Sequence, residues 1–83
     1  MLFHVEVLVM LKAGIPDPVA IDVGKKIVGM GIDVQAVRIG KRFELQVEGA
    51  TETDARKKTD EMCLKLLAFQ VIEYHKIVSV REG

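Results

Sequence analysis

The stretch VQAVRIGKRFELQVEG, residues 34–49, decides how the chain is read. Two runs of alternating apolar residues meet at Gly40-Lys41, with Val37 and Ile39 facing inward on the first and Phe43, Leu45 and Val47 on the second. Period-two alternation interrupted by a glycine-containing pair is a hairpin signal, because tight hairpin turns need the positive φ that glycine adopts freely. The spacing therefore predicts two strands joined at Gly40-Lys41.

Outward from that hairpin, each flank reads as a helix and then a strand. Upstream, Phe3, Val5, Val7, Val9 and Leu11 alternate on one face of a strand, while Leu8 and Met10 join His4, Glu6 and Lys12 on the other, so the second face is expected to meet something as well. Asp17 is placed to cap a helix that opens with Pro18 and carries Val19, Val23, Ile27 and Met30 as its inward stripe, with Gly31 as its stop. Downstream, Thr51 and Asp54 resemble a capping box ahead of a helix whose stripe is Ala55, Thr59, Met62, Cys63, Leu66 and Leu67. A last strand comes after it, with Ile72, Tyr74, Val78 and Val80 on one side. The order is β-α-β-β-α-β over a single domain, residues 1–83. That predicts an α+β fold, a two-layer sandwich of ferredoxin-like type with an antiparallel sheet and its helices on one face.

Composition narrows the function. A chain of 83 residues builds a small core that supplies on the order of 3–5 kcal/mol, and such chains gain further stability from a disulfide, a metal or a partner subunit. One cysteine closes no intramolecular disulfide, and two histidines far apart give no metal-ligand spacing. A partner subunit is the option left. Twelve Lys plus Arg balance 12 Asp plus Glu, which argues against nucleic acid. The longest apolar run, VLVML at residues 7–11, is far short of the roughly 20 residues of a membrane span. No basic, apolar and small-residue leader pattern opens the sequence, so the expected location is cytoplasmic.

Residues that carry chemistry are scarce. Cys63 falls on the apolar side of an amphipathic helix, where thiols act as small inert hydrophobes. His4 and His75 alternate with apolar neighbours on the less apolar strand faces, and no Ser or Cys is placed for either to activate. VGMG has a Gly-x-Gly spacing but ends a helix instead of opening one, so it offers phosphate no free N–H groups. Arg38, Lys41 and Arg42 cluster at the predicted hairpin tip, as a solvated turn or as a docking contact.

Asp17-Pro18, then Val37-Arg38, Gly40-Lys41 and Glu44-Leu45, then Met62-Cys63, Lys65-Leu66-Leu67-Ala68 and Val71-Ile72-Glu73 resemble, in order and spacing, the small subunit of three-component phosphoribosylformylglycinamidine (FGAM) synthase of de novo purine synthesis. Two positions depart from the usual pattern: Val19-Ala20 stands where the family has Gln-Gly, and Phe69-Gln70 where it has Asn-Pro. The resemblance implies a non-catalytic assembly subunit, present as a homodimer or dimer of dimers, that bridges a ligase subunit and a glutaminase subunit and supports ammonia transfer. It implies no catalytic residue, metal or cofactor in this chain, with ATP and Mg in the ligase partner. Leu8, Met10, Arg38, Lys41, Arg42, Phe69, Val71 and Ile77 are the candidate partner or oligomer surface. A stand-alone metabolite-binding module of the same topology is the competing reading. An acylphosphatase-like enzyme is disfavoured, since it needs an asparagine and the chain has none.

Overall fold

Alternation puts Phe3, Val5, Val7 and Val9 on one face of β1 (Leu2–Leu11), and all four are buried in the computed structural model, which describes residues 1–83. β1 is the centre of an antiparallel sheet in the order β2-β1-β3, with β2 (Gly40–Glu48) and β3 (Glu73–Glu82) as its edges. Val5 stands opposite Leu45 and Val80, and Val7 opposite Phe43 and Ile77. These residues make the inner face of the sheet. It is covered by α2 (Glu52–Met62), through Ala55, Thr59 and the adjoining Cys63, all fully buried. The Thr59 hydroxyl donates to the Ala55 carbonyl at 2.8 Å, which satisfies the one polar group buried there.

Both helix starts agree with the sequence. Asp17 accepts from the Val19 and Ala20 amides ahead of α1 (Pro18–Gly29), and Thr51 accepts from the Asp54 amide ahead of α2. Gly31, at φ 83°, ends α1 in the left-handed region that a Cβ would strain.

Three expectations need correction. First, the hairpin is open. Residues 34–39 form no strand and no backbone–backbone hydrogen bond, while Gly40 and Lys41 extend β2 and pair with Met10 and Val9 instead of turning. Residues 34–39 instead lie along α1, where Val37 Cγ2 comes within 3.6 Å of the place a Cβ on Gly24 would occupy. Second, α1 barely touches the sheet. Its expected stripe is not buried: Val19 and Met30 are exposed, Val23 and Ile27 half-buried, and Ala20 is its one buried residue. Third, α2 runs into a π-helical segment (Cys63–Leu67) whose wider step carries Leu66 out of the stripe and brings Ala68 into the core.

The junction at Phe69-Gln70 is closed without a proline. Gln70 Nε2 donates to the Cys63 and Ala68 carbonyls, and the Phe69 amide donates to the Glu73 carboxylate at 2.7 Å. Side-chain caps thus finish the helix.

The outcome is an elongated protomer. Its radius of gyration is 16.1 Å over extents of 51 × 27 × 14 Å, whereas a compact chain of this length has about 12 Å. α1 and residues 34–39 project as an arm.

Candidate assembly surface

Two surfaces lack the neighbours that their residues call for. One is the arm itself, which exposes Val19, Ile21, Val28, Met30 and Ile32. A 12-residue helix that carries Gly24 in its interior and ends on Gly29 is marginal in water unless its apolar face is packed. The other lies over β2. α2 leans toward β3, which leaves Phe43 and Leu45 half-buried on the inner face and opens a groove of ≈ 580 Å³ between α2 and β2, with Val47, Met62 and Leu66 among its walls. Leu66 is 80% exposed there. The outer edge of β2 is also unpaired, since β2 hydrogen-bonds to β1 alone.

The predicted basic cluster is dispersed, and each member is held within the chain. Arg38 Nη2 donates to the Leu11 carbonyl at 3.0 Å and to Tyr74 Oη at 3.4 Å. Lys41 lies 3.6 Å from Glu73, and Arg42 bonds Glu6 at 2.6 Å and Glu44 at 3.0 Å. The hydrogen bond and charge of Glu6, and then the charge of Glu44, raise the Arg42 pKa above its ordinary value.

Leu8 and Met10 take the outer face of the sheet as expected, half-buried beside Arg42 and Lys76 and beside Tyr74. Ile77 does not. The β1–β3 register shifts at Glu6/Val7, leaving Val78 as the extra residue, so Ile77 and Val80 both face the core. Phe69 and Val71 are exposed, and with Leu64 they line a shallow depression at the end of the π-helical segment that Lys41, Lys65 and Glu73 also border.

His75 is on the inner face, not the outer one. It sits opposite Val9, with Nε2 3.0 Å from Asp60 on α2. Cys63 is fully buried, and burial, aided by the Asp60 charge, pushes its thiol pKa up, so the nucleophilic thiolate is disfavoured. No group of three or more His, Cys, Asp or Glu is arranged to hold a metal, and no helix is long and apolar enough to cross a membrane. The arm is not predicted by the helix stripe; its signal in the sequence is the pair of apolar residues outside that stripe, Ile21 and Val28, both exposed.

Known proteins share this frame. The family model described as PurS, phosphoribosylformylglycinamidine (FGAM) synthase, matches residues 4–81. The PurS subunits of Bacillus subtilis and Synechocystis sp. are 40% and 39% identical over 76 and 72 residues, covering 90% and 86% of this chain and 89% and 72% of theirs. The solved Thermus thermophilus PurS superposes with a TM-score of 0.90 at 29% identity, over 100% of this chain and 99% of that one. A chain in the structure of PurLQS from Thermotoga maritima does so with a TM-score of 0.87 at 26% identity, over 100% and 99%. An antiparallel three-stranded sheet with its helices, in a frame that accounts for nearly the whole chain, and a match over residues 4–81 lead to one assignment: the chain belongs to the PurS family, the small subunit of FGAM synthase.

Proposed function

We propose that this subunit acts as a cytoplasmic assembly platform, a homodimer that joins the ligase and glutaminase subunits and supports the passage of ammonia between them. ATP and Mg then belong to the ligase. The observation that carries the reading is the projecting arm. In a β-α-β-β-α-β frame, residues 34–39 belong beside β2, and α1 belongs over the inner face next to α2. Both places are empty in the protomer: the edge of β2 is unpaired and the groove lined by Val47, Met62 and Leu66 lies open.

A second copy supplies both pieces. Exchange of arms about a two-fold axis gives each sheet its fourth strand and each groove its helix, and buries the apolar side of α1. Leu64, Phe69 and Val71 do not line that groove, so their exposed apolar surface remains for the larger subunits. Further support comes from the Thermotoga maritima chain, whose structure is that of PurLQS.

Reconstitution tests the reading. The purified chain should sediment as a dimer, should turn over neither ATP nor glutamine, and should restore glutamine-dependent FGAM synthesis when added to the ligase and glutaminase. A monomer at micromolar concentration, or full synthesis without this chain, would overturn it.

A further inference from the structure

We infer that Gly40 is a two-position hinge, extended in the arm-exchanged dimer and turned in a closed monomer, and that Arg38 clasps it in the extended position. The inference rests on the proposed arm exchange and adds to it the device that selects between the two forms.

Gly40-Lys41 serves two structures at once. As a pair it suits a type II′ hairpin turn, which takes glycine at its first central position with φ > 0. In the protomer the same residues are strand: Gly40 is opposite Met10 and Lys41 opposite Val9, and Gly40 is not among the positive-φ glycines. Closing the hairpin would return residues 34–39 to the edge of their own β2 and α1 to its own groove, and the chain would need no second copy. It would also remove Gly40 and Lys41 from the β1 ladder.

What opposes closure is visible around the hinge. Arg38, next but one to Gly40, reaches across the end of the sheet to the Leu11 carbonyl on β1 and to Tyr74 Oη on β3. Its guanidinium thereby ties residues 34–39 in line with β2, beyond the end of β1. Lys41 adds a pairing with Glu73 that a turn would break. Glycine itself is required by the extended form, because a Cβ at position 40 would overlap Met10 Sδ and lie 2.7 Å from the Val9 carbonyl oxygen.

Those contacts give a test with opposed arms. Gly40→Asn with Lys41→Gly places a Cβ where the extended form has no room for one and creates Asn-Gly, the preferred type I′ turn. The double variant should sediment as a folded monomer with the helix and strand content of the wild type by far-UV circular dichroism. Arg38→Ala should raise the dimer Kd by about tenfold, as expected when a charged hydrogen-bond pair is lost, and Tyr74→Phe should raise it less. A double variant that stays dimeric with the wild-type Kd, or that does not fold at all, would overturn the closed form. An unchanged Kd for Arg38→Ala, which leaves both turn residues alone, would overturn the clasp. A monomeric wild type would instead remove the arm exchange beneath the inference, an outcome that the same sedimentation run distinguishes.

Discussion

The Ala68 amide donates to the Cys63 carbonyl, five residues back, at 3.0 Å. The π-type bonding of this segment changes the faces of the residues around it: Ala68 enters the core, and Leu66, which a continued α-helix would turn inward, stands 80% exposed over the groove beside β2. Substitutions of residues left at a surface stay within about ±0.5 kcal/mol. With a helix from the second copy seated in the groove, Leu66→Ala should instead cost about 2 kcal/mol, the low end for a buried leucine. Denaturant unfolding at concentrations that hold the dimer would measure it, and a loss inside the surface range would mean that nothing covers Leu66.

Cys63 anchors the other end of that bond. Because its raised pKa keeps the thiol protonated at neutral pH and the side chain is fully buried, alkylating reagents should reach it slowly until the protein unfolds. Cys63→Ala should cost about 1 kcal/mol for the lost sulfur and leave glutamine-dependent synthesis in the reconstituted complex near wild type. Loss of turnover in a variant that still folds and assembles would make this cysteine chemical.

The sequence was legible where one strand or helix face decides the matter by itself. Phe3, Val5, Val7 and Val9 are buried by simple alternation, Asp17 and Thr51 cap the helices they precede, and Thr59 and Cys63 lie under α2 as their spacing requires. What could not be read depended on alternatives of similar local quality. Gly40-Lys41 fits a turn and a strand alike, and only the pairing of those residues with Met10 and Val9 shows which is adopted. The bulge at Val78 and the π-type bond at Cys63 each insert one residue into a regular period, so Ile77 and Leu66 appear on the faces opposite to those that counting assigns. In the candidate surface, Phe69 and Val71 are exposed, whereas Arg38, Lys41 and Arg42 are engaged within the chain.

Acid should loosen α2 first. Asp54 accepts from the Ala50 amide at 2.9 Å and pairs with Lys58, and these hold its pKa below the usual carboxylate value, the backbone bond being the larger cause. Glu61 is lowered as well, by its hydrogen bond and charge interaction with Lys65. A carboxylate whose folded pKa is depressed stabilises the fold above its unfolded pKa, and that contribution is lost as pH falls through the folded value. Stability should therefore be flat from neutral pH down to the ordinary carboxylate range and decline below it. Asp54→Asn should flatten the decline, as thermal melts between about pH 6 and pH 3 would register; an unchanged slope would take Asp54 out of the acid response.

Gly29 offers a stabilising change that also reports which side of α1 is free. Helical spacing puts it with Asp22, Lys25 and Lys26, on the side away from buried Ala20, and a Cβ built there meets nothing within 4 Å. Its φ is not positive, so alanine fits the backbone at this last residue of α1, and the exchange should gain up to about 1 kcal/mol, chiefly through a less flexible unfolded chain. For a domain of this size that is a rise of about 4–8 °C in thermal midpoint. Gly24→Ala is the control, because its Cβ would come 3.6 Å from Val37, an ordinary packing distance that adds contact within the arm. Both variants should melt above the wild type at equal protein concentration. A fall in Tm for Gly29→Ala alone, with the dimer Kd raised, would place the charged side of α1 against the second copy and require the helix to be turned in its groove.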